Sequence, residues 1–309
     1  MRVAVTGATG LLGRAVAREL AGRGDEVTAL SRDAARARGA FPDESAELAE
    51  WPEPKSAAPP LDALRGRDAV VNLLGEPIAQ RWTDRAKREI RESRVLPTRN
   101  LVDALSRLDA PERPRVLVSA SGANWYAPRG DERVDESGAP GTDFLAAVTA
   151  GWEQEALKAE ALGMRVAVHR TGMVLSESGG ALARMLLPFK LGVGGPVAGG
   201  RQYVPWVHVD DVAGAIAFCI DTDGARGPVN LTAPEPVTNR ELSKALGRVL
   251  RRPAVVPVPA AALRLLYGEM AMLVTEGARV VPGRLTALGY EFRRPQLEDA
   301  LREATGHSG

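Results

Sequence analysis

The 309 residues can bury a large core, and 40 basic against 39 acidic side chains leave a formal net charge of +1, which offers no field to draw nucleic acid or an acidic membrane surface. A lone cysteine, Cys219, excludes an internal disulfide, and its setting in AGAIAFCID is that of a small core residue. The opening MRVAVTG turns glycine-rich after one short apolar strand, unlike a signal peptide, and AVVPVPAAALRLLYGEMAMLV is broken by prolines, Arg264 and Glu269; no membrane span and a reducing, cytoplasmic setting are expected.

Short apolar runs alternate with longer amphipathic ones. RVAVT (2–6) predicts the first strand, residues 11–23 a helix, and EVTAL (26–30) the second strand. A weaker strand is expected near AELAEW (46–51), then DAVVNLL (68–74), a long helix over about 83–108, RVLVSA (115–120), a helix over about 142–162, and RVAVHRT (165–171). Continuous apolar strands suit a parallel sheet covered on both faces, and strand–helix alternation predicts right-handed βαβ units. Arg85, Arg88, Arg91 and Arg94 are interleaved with acids, the pattern of a solvated helical face. After about residue 175 the character changes: LGVGGPVAGGRQYVPW reads as a long loop, and TNRELSKALGRVLRRP as a helix with Thr238 as N-cap and Glu241 at capping-box spacing. The tail from about 257 reads as two or three helices. The expected build is α/β, a Rossmann-type doubly wound parallel sheet over 1–250 with substrate-lobe insertions after about 175, and a small, mainly helical C-terminal domain over 251–309.

VAVTGATGLLGRAV places Gly7, Gly10 and Gly13 where the first strand turns into the first helix. Glycines there let the backbone approach a pyrophosphate, whose charge meets the helix N-terminus. NAD-preferring folds end the second strand with an acid that holds the ribose 2′-hydroxyl. Here that strand ends TALSRD, with Ser31 and Arg32 at the position and Asp33 one step on. A guanidinium there can clamp a 2′-phosphate, so NADP (NADPH) is favoured over NAD. The alternative makes Arg32 a surface residue and turns Asp33 inward to bind NAD. No His, Cys or carboxylate cluster has metal-ligand spacing, and no nucleophile elbow is present.

TGATGLLG, VVNLLGEPI (70–78), VLVSASGANWY (116–126), VHRTGMVLS (168–176), WVHVDDVAGAI (206–216) and GPVNLTAPEPVTNRELSKALG (227–247) occur in the order seen in extended short-chain dehydrogenase/reductases. With GGALARMLLPFKLGVGGPVAGGRQYVPWVHVDD and the tail VPVPAAALRLLYGEMAMLV to RVVPGRLTALGYEF, the chain resembles the atypical "epimerase family" subgroup, which ends in a small domain of unknown function. Some members are labelled cell-division inhibitors or linked to plastid division. The resemblance implies that Gly7, Thr9, Gly10, Leu11 and Leu12 cradle the pyrophosphate and that Leu73, Leu74 and Gly75 run beside the cofactor ribose. It sets Ser119 and Ser121 at the end of the fifth strand, where a hydroxyl binds substrate, and Arg170, Thr171, Gly172 and Met173 after the sixth, beside the nicotinamide. Asp210 and Asp211 would brace the substrate lobe.

Departures from the family are specific. Family enzymes use a tyrosine to move the proton and a lysine four residues on to lower its pKa. Counting back from Glu153 puts Thr149 at the lysine position and Leu145 at the tyrosine position. The asparagine expected in the long helix is Arg94, grouped here with the cofactor-side residues. Tyr126 is the best substitute proton carrier, or else a loop aromatic packed under the substrate lobe. Lys190 and Tyr203 sit on the glycine-rich segment, as lid contacts or solvated side chains, and His208 reads as structural.

Two functions compete. One is an NADP-dependent oxidoreductase or epimerase acting on a small polar or sugar-like substrate, with Ser121 and Tyr126 in the catalytic roles. The other is a non-catalytic NADP(H)-sensing or regulatory protein linked to cell division. Family relatives often pair through the helices at 83–108 and 142–162; RAKREIRESRV is unusually charged for that, so monomer and homodimer both stay open.

Overall fold

In the computed structural model, which describes residues 1–41 and 45–307, β1 (Arg2–Thr6) has four of its five residues buried and leads through the glycine turn into α1 (Leu11–Gly22). β2 (Glu26–Ser31), one-turn α2 (Ala34–Ala37) and β3 (Glu47–Glu50) extend the sheet to one side. To the other side, β4 (Ala69–Asn72) feeds the long α3 (Asp84–Ser106), and β5 (Val116–Gly122) is followed by the short β6 (Arg133–Val134) and α4 (Phe144–Leu157). β7 (Arg165–Thr171) comes next, and then a lobe: β8 (Met173–Leu175), α5 (Gly180–Lys190), β9 (Tyr203–Val204) and β10 (Trp206–His208). α6 (Val209–Asp221) returns to the sheet and β11 (Gly227–Leu231) closes it. β12 (Val237–Thr238), α7 (Asn239–Leu250), α8 (Ala260–Tyr267), α9 (Met272–Thr275), β13 (Arg279–Val280), α10 (Gly283–Ala287) and α11 (Leu297–Ala304) complete the chain.

The main sheet is parallel, in the order β11-β7-β5-β4-β1-β2-β3, so the strand order reverses between β1 and β4. In such sheets a ligand crevice opens at the carboxyl ends of the strands beside that reversal. The strands are apolar on both faces because both are covered. Val3, Val5, Val71 and Val118 pack on Val16 and Leu20 of α1 and Ile216 of α6, while Val70, Leu117, Val166 and Val168 pack on Leu101 and Leu105 of α3. Burial of one such side chain stabilises by about 1.5–3 kcal/mol.

A third cluster joins Leu175, Leu182 and Trp206 to Leu242 and Leu246 of α7 and Leu301 of α11. Tyr290 and Phe292 pack against the core that holds α6. The segment after residue 250 therefore shares hydrophobic cores with the segment before it; of the expected C-terminal domain, residues 308–309 lie outside the described residues.

Several expectations are adjusted. The fourth strand ends at Asn72 rather than at residue 74. The helix expected to run to about 162 ends as α-helix at Leu157 and tightens to a 3₁₀ turn over Lys158–Leu162, stopping at Gly163 in the left-handed conformation (φ 80°). β11 went unread because GPVNL opens on glycine and proline; Pro228 is tolerated because β11 is an edge strand. The tail holds four α-helices among the described residues, two of them only four and five residues long. Thr238 and Glu241 do form the capping box, each side chain bonding the other's backbone N–H.

Candidate functional site

The glycine turn is built by close backbone approach. Gly7 has φ 64°, and a Cβ there would stand 2.8 Å from the Leu73 carbonyl oxygen. A Cβ on Gly13 would overlap the backbone of Gly7 and Ala8, so the first turn of α1 can seat against the loop only as glycine. Gly10 donates its N–H to the Gly7 carbonyl at 3.0 Å and is the N-cap of α1, with no side-chain cap and no acidic residue in the first turn. The Leu11 and Leu12 amides thus open the helix without a side-chain acceptor, the arrangement that receives an anion. Thr9 turns its carbonyl back to Arg14 Nη1 at 3.0 Å. These residues fit a pyrophosphate.

At the tip of β2 the two readings of the sequence part. Asp33 Oδ1 accepts from the Arg36 N–H at 2.8 Å and caps α2, and Ser31 Oγ donates to the Asp33 carbonyl at 3.2 Å. Arg32 is exposed and has no hydrogen bond or ion pair among the described residues. The carboxylate is engaged and the guanidinium is available, which is the electrostatics of a phosphate clamp.

Leu73, Leu74 and Gly75 follow β4 and run past Gly7. Under them lies a buried polar chain. Thr6 Oγ1 donates to Asn72 Oδ1 at 2.8 Å, and Asn72 Nδ2 donates to Thr98 Oγ1 at 2.9 Å and Ser119 Oγ at 3.2 Å. Ser119 is fully buried in this chain, so its hydroxyl positions the strand ends rather than reaching into the crevice. Arg94, expected on a solvated face, is drawn inward: its Nη2 donates to the Glu76 carbonyl at 2.8 Å, and its guanidinium lies over the Trp152 ring at 5.2 Å.

A second polar network joins β5, α4 and β7. Glu153 Oε1 accepts from Ser121 Oγ at 2.7 Å and Arg170 Nε at 2.8 Å, and Glu153 Oε2 accepts from Arg170 Nη2 at 2.8 Å. Arg170 Nη1 donates to the Tyr126 hydroxyl at 2.8 Å, which in turn donates to Asn230 Oδ1 at 2.7 Å. One placement implied by the resemblance, that of Arg170, differs here, and of the two readings of Tyr126 its position is that of a packed aromatic. Arg170 lies inside β7, not after it, and its guanidinium is taken up by Glu153, Tyr126 and the Trp125 ring at 3.9 Å. Tyr126 is buried against Val134, Ala278 and Val280, both sides of its hydroxyl are bonded, and burial pushes the phenol above its ordinary range. It packs under the C-terminal lobe and is not a free proton carrier. Gly172 and Met173 back onto the segment before β10: a Cβ on Gly172 would overlap the Pro205 carbonyl, and the Met173 N–H donates to that oxygen at 2.6 Å.

Residues 3–231 match the NAD dependent epimerase/dehydratase family, and residues 258–304 match a domain of unknown function, DUF1731. The chain is 40% identical over 308 residues to the chloroplastic epimerase family protein SDR39U1 homolog of Arabidopsis thaliana, covering 98% of this chain and 86% of that one. It is 37% identical over 308 residues to epimerase family protein SDR39U1 of Mus musculus, covering 98% and 99%. The crystal structure of human epimerase family protein SDR39U1 (isoform 2) with NADPH superposes with a TM-score of 0.85 at 34% identity over 100% of both chains. The chain belongs to the NAD dependent epimerase/dehydratase family.

As an epimerase-family protein it has an unusual wall where the tyrosine and lysine were sought. Leu145 is buried with Trp82, Ile90 and Val148, and Met270, Met272 and Leu273 from the C-terminal region pack on that cluster. Thr149 turns its hydroxyl back to the carbonyls of Leu145 and Ala146 at 3.0 and 2.9 Å, within its own helix. The two positions counted back from Glu153 thus hold a packed apolar side chain and a hydroxyl bonded within its own helix. Asp211 braces the tail, its carboxylate accepting from the Arg293 and Arg294 N–H groups at 2.6 and 2.9 Å. His208 caps α6, Nδ1 accepting from the Asp210 N–H at 3.2 Å. Lys190 ends α5 exposed, and Tyr203 lies under the Arg279 guanidinium at 5.1 Å. The Glu153–Arg170 pair escaped the sequence reading; its one signal was acids and bases set in two elements that are otherwise largely apolar, AAVTAGWEQEA and RVAVHRT.

Proposed function

We propose that this chain binds NADP(H) in the glycine cradle, with Arg32 on the 2′-phosphate, as an epimerase-like protein acting on a hydroxyl-bearing, small polar or sugar-like substrate. The observation that carries the cofactor reading is the pairing of an uncapped, glycine-opened helix α1 with an unengaged Arg32 beside an engaged Asp33. The NADPH held by the human relative supports it. Bound nicotinamide supplies a hydride acceptor or donor. Ser121 sets the polarity of the substrate contact: it donates its proton to Glu153, which also accepts from Arg170, so its free lone pairs accept from a substrate O–H. Proton movement then falls to water, because Leu145, Thr149 and Tyr126 offer no exchangeable proton to the crevice. A missing general acid–base group lowers the rate by about a hundredfold to ten-thousandfold without abolishing it.

The apolar wall around Leu145 favours a second reading, a non-catalytic NADP(H)-binding protein whose C-terminal lobe meets a partner. Calorimetry with NADPH, NADP⁺ and NADH tests the cofactor, and tightest uptake of a phosphorylated form is expected. Turnover of NADPH with a panel of carbonyl compounds, or of NADP⁺ with sugar alcohols, separates the two readings; no turnover with any of them leaves the binding protein.

A further inference from the structure

Arg94 carries a charge that no described residue answers with an ion pair. Its guanidinium is largely buried between the Trp152 ring, 5.2 Å from Cζ, and the backbone of Gly75, where an added Cβ would stand 3.0 Å from Cζ. Nη1 donates to the Ile90 carbonyl at 2.9 Å and Nη2 to the Glu76 carbonyl at 2.8 Å. Among the described residues no carboxylate oxygen lies within 4.0 Å of it, and the Glu76 carboxylate acts on it only from further off. Burial lowers its pKa to about 10, so the group is still cationic at neutral pH. A buried, uncompensated cation is costly, which makes its position informative.

That position is one layer behind the crevice. Gly75 continues the Leu73–Leu74 backbone that meets Gly7. In a doubly wound sheet the two nucleosides of a dinucleotide lie on opposite sides of the strand reversal, with the pyrophosphate between them at the first helix. Arg32, at the tip of β2, marks the adenosine side; the edge at Leu73–Gly75 is then the nicotinamide side. NADP⁺ and NADPH share every phosphate and both riboses. They differ at the ring, which is positively charged when oxidised and uncharged when reduced. A cation fixed behind Gly75 repels one form and not the other.

We propose that Arg94 sets the redox preference of the site, making it select NADPH over NADP⁺. The inference rests on the cofactor reading above. Two like unit charges on the order of 10 Å apart, at an effective dielectric of about 20, repel enough to change binding by on the order of tenfold. Dissociation constants for both forms, measured by calorimetry on the full chain, are expected to favour NADPH by roughly five- to twentyfold. Arg94→Met should bring the ratio to within about twofold of unity by tightening NADP⁺ relative to NADPH, and Arg94→Lys, which keeps the charge, should keep the preference. Equal affinity of the wild type for both forms overturns the proposal, even if neither variant folds. So does an Arg94→Met protein that weakens both forms equally, or an Arg94→Lys protein that loses the preference as fully as Arg94→Met. Binding of neither form by the wild type defeats the cofactor reading itself, a result distinct from equal binding of both.

Discussion

Arg32 and Asp33 are neighbours in sequence and opposite in role, and the difference is a single hydrogen bond. Once Asp33 accepts the Arg36 N–H to start α2, its carboxylate is turned from a ribose to a helix end, and the local charge at the β2 tip is that of the guanidinium. Replacing Arg32 with Ala should weaken NADPH binding by about tenfold to a hundredfold, the loss of one or two charge-assisted hydrogen bonds, and leave NADH nearly unchanged; parallel calorimetric titrations would show it. A similar fall for both nucleotides would mean that Arg32 does not read the 2′-phosphate. The glycines were legible here because only glycine allows backbone to touch backbone. Arg94 was legible only through the family resemblance, because by spacing alone four arginines in α3 look alike until one of them is found under Gly75.

Among elements, α4 and β7 are joined by charge as well as by packing. Glu153 and Arg170 are both buried, and their two-point contact carries Ser121 on one side and Tyr126 on the other. Removing one partner leaves the other buried without compensation, so Glu153→Gln should cost about 3–5 kcal/mol in chemical denaturation. The double change to Glu153→Gln and Arg170→Met should cost less than the sum of the single changes, as coupled residues do. Additive costs would show that the pair is not coupled. α7 is secured differently, at its end: Thr238→Ala removes the capping-box acceptor and should lower stability by about 1 kcal/mol, read as a lower denaturation midpoint with an unchanged slope. The capping box was visible from spacing alone, since both members lie within four residues. The ion pair spans 17 residues and two elements, and only the packing of α4 on the strands brings it together.

At the scale of the whole molecule, burial gives the fold a defined response to acid. His169 lies in the sheet with Nε2 unbonded, and burial lowers its pKa from 6.5 to about 3. The folded protein therefore refuses a proton that the unfolded chain accepts. Stability is complete above about pH 6.5 and is lost as pH falls toward 3, with roughly 2–3 kcal/mol gone at pH 4.5. His208, also lowered by burial, adds in the same direction. His169→Gln should flatten the stability curve between pH 6.5 and 4.5; denaturant titrations at both pH values measure the difference, and an unchanged slope would assign the acid loss elsewhere. The same scale holds the tail, whose Tyr290, Phe292 and Leu301 complete cores begun by α6 and α7.

Local chemistry determined the sheet, its flanking helices and the cofactor cradle, because apolar periodicity, glycine turns and helix caps act over a few residues. Tertiary structure decided what those elements enclose. It took Tyr126 out of the crevice into a bonded, buried position, lined the Leu145 wall with residues from the C-terminal region, and drew Arg94 behind the cradle. Each of these depends on contacts between segments tens to more than a hundred residues apart, and no pattern within one segment carries that information.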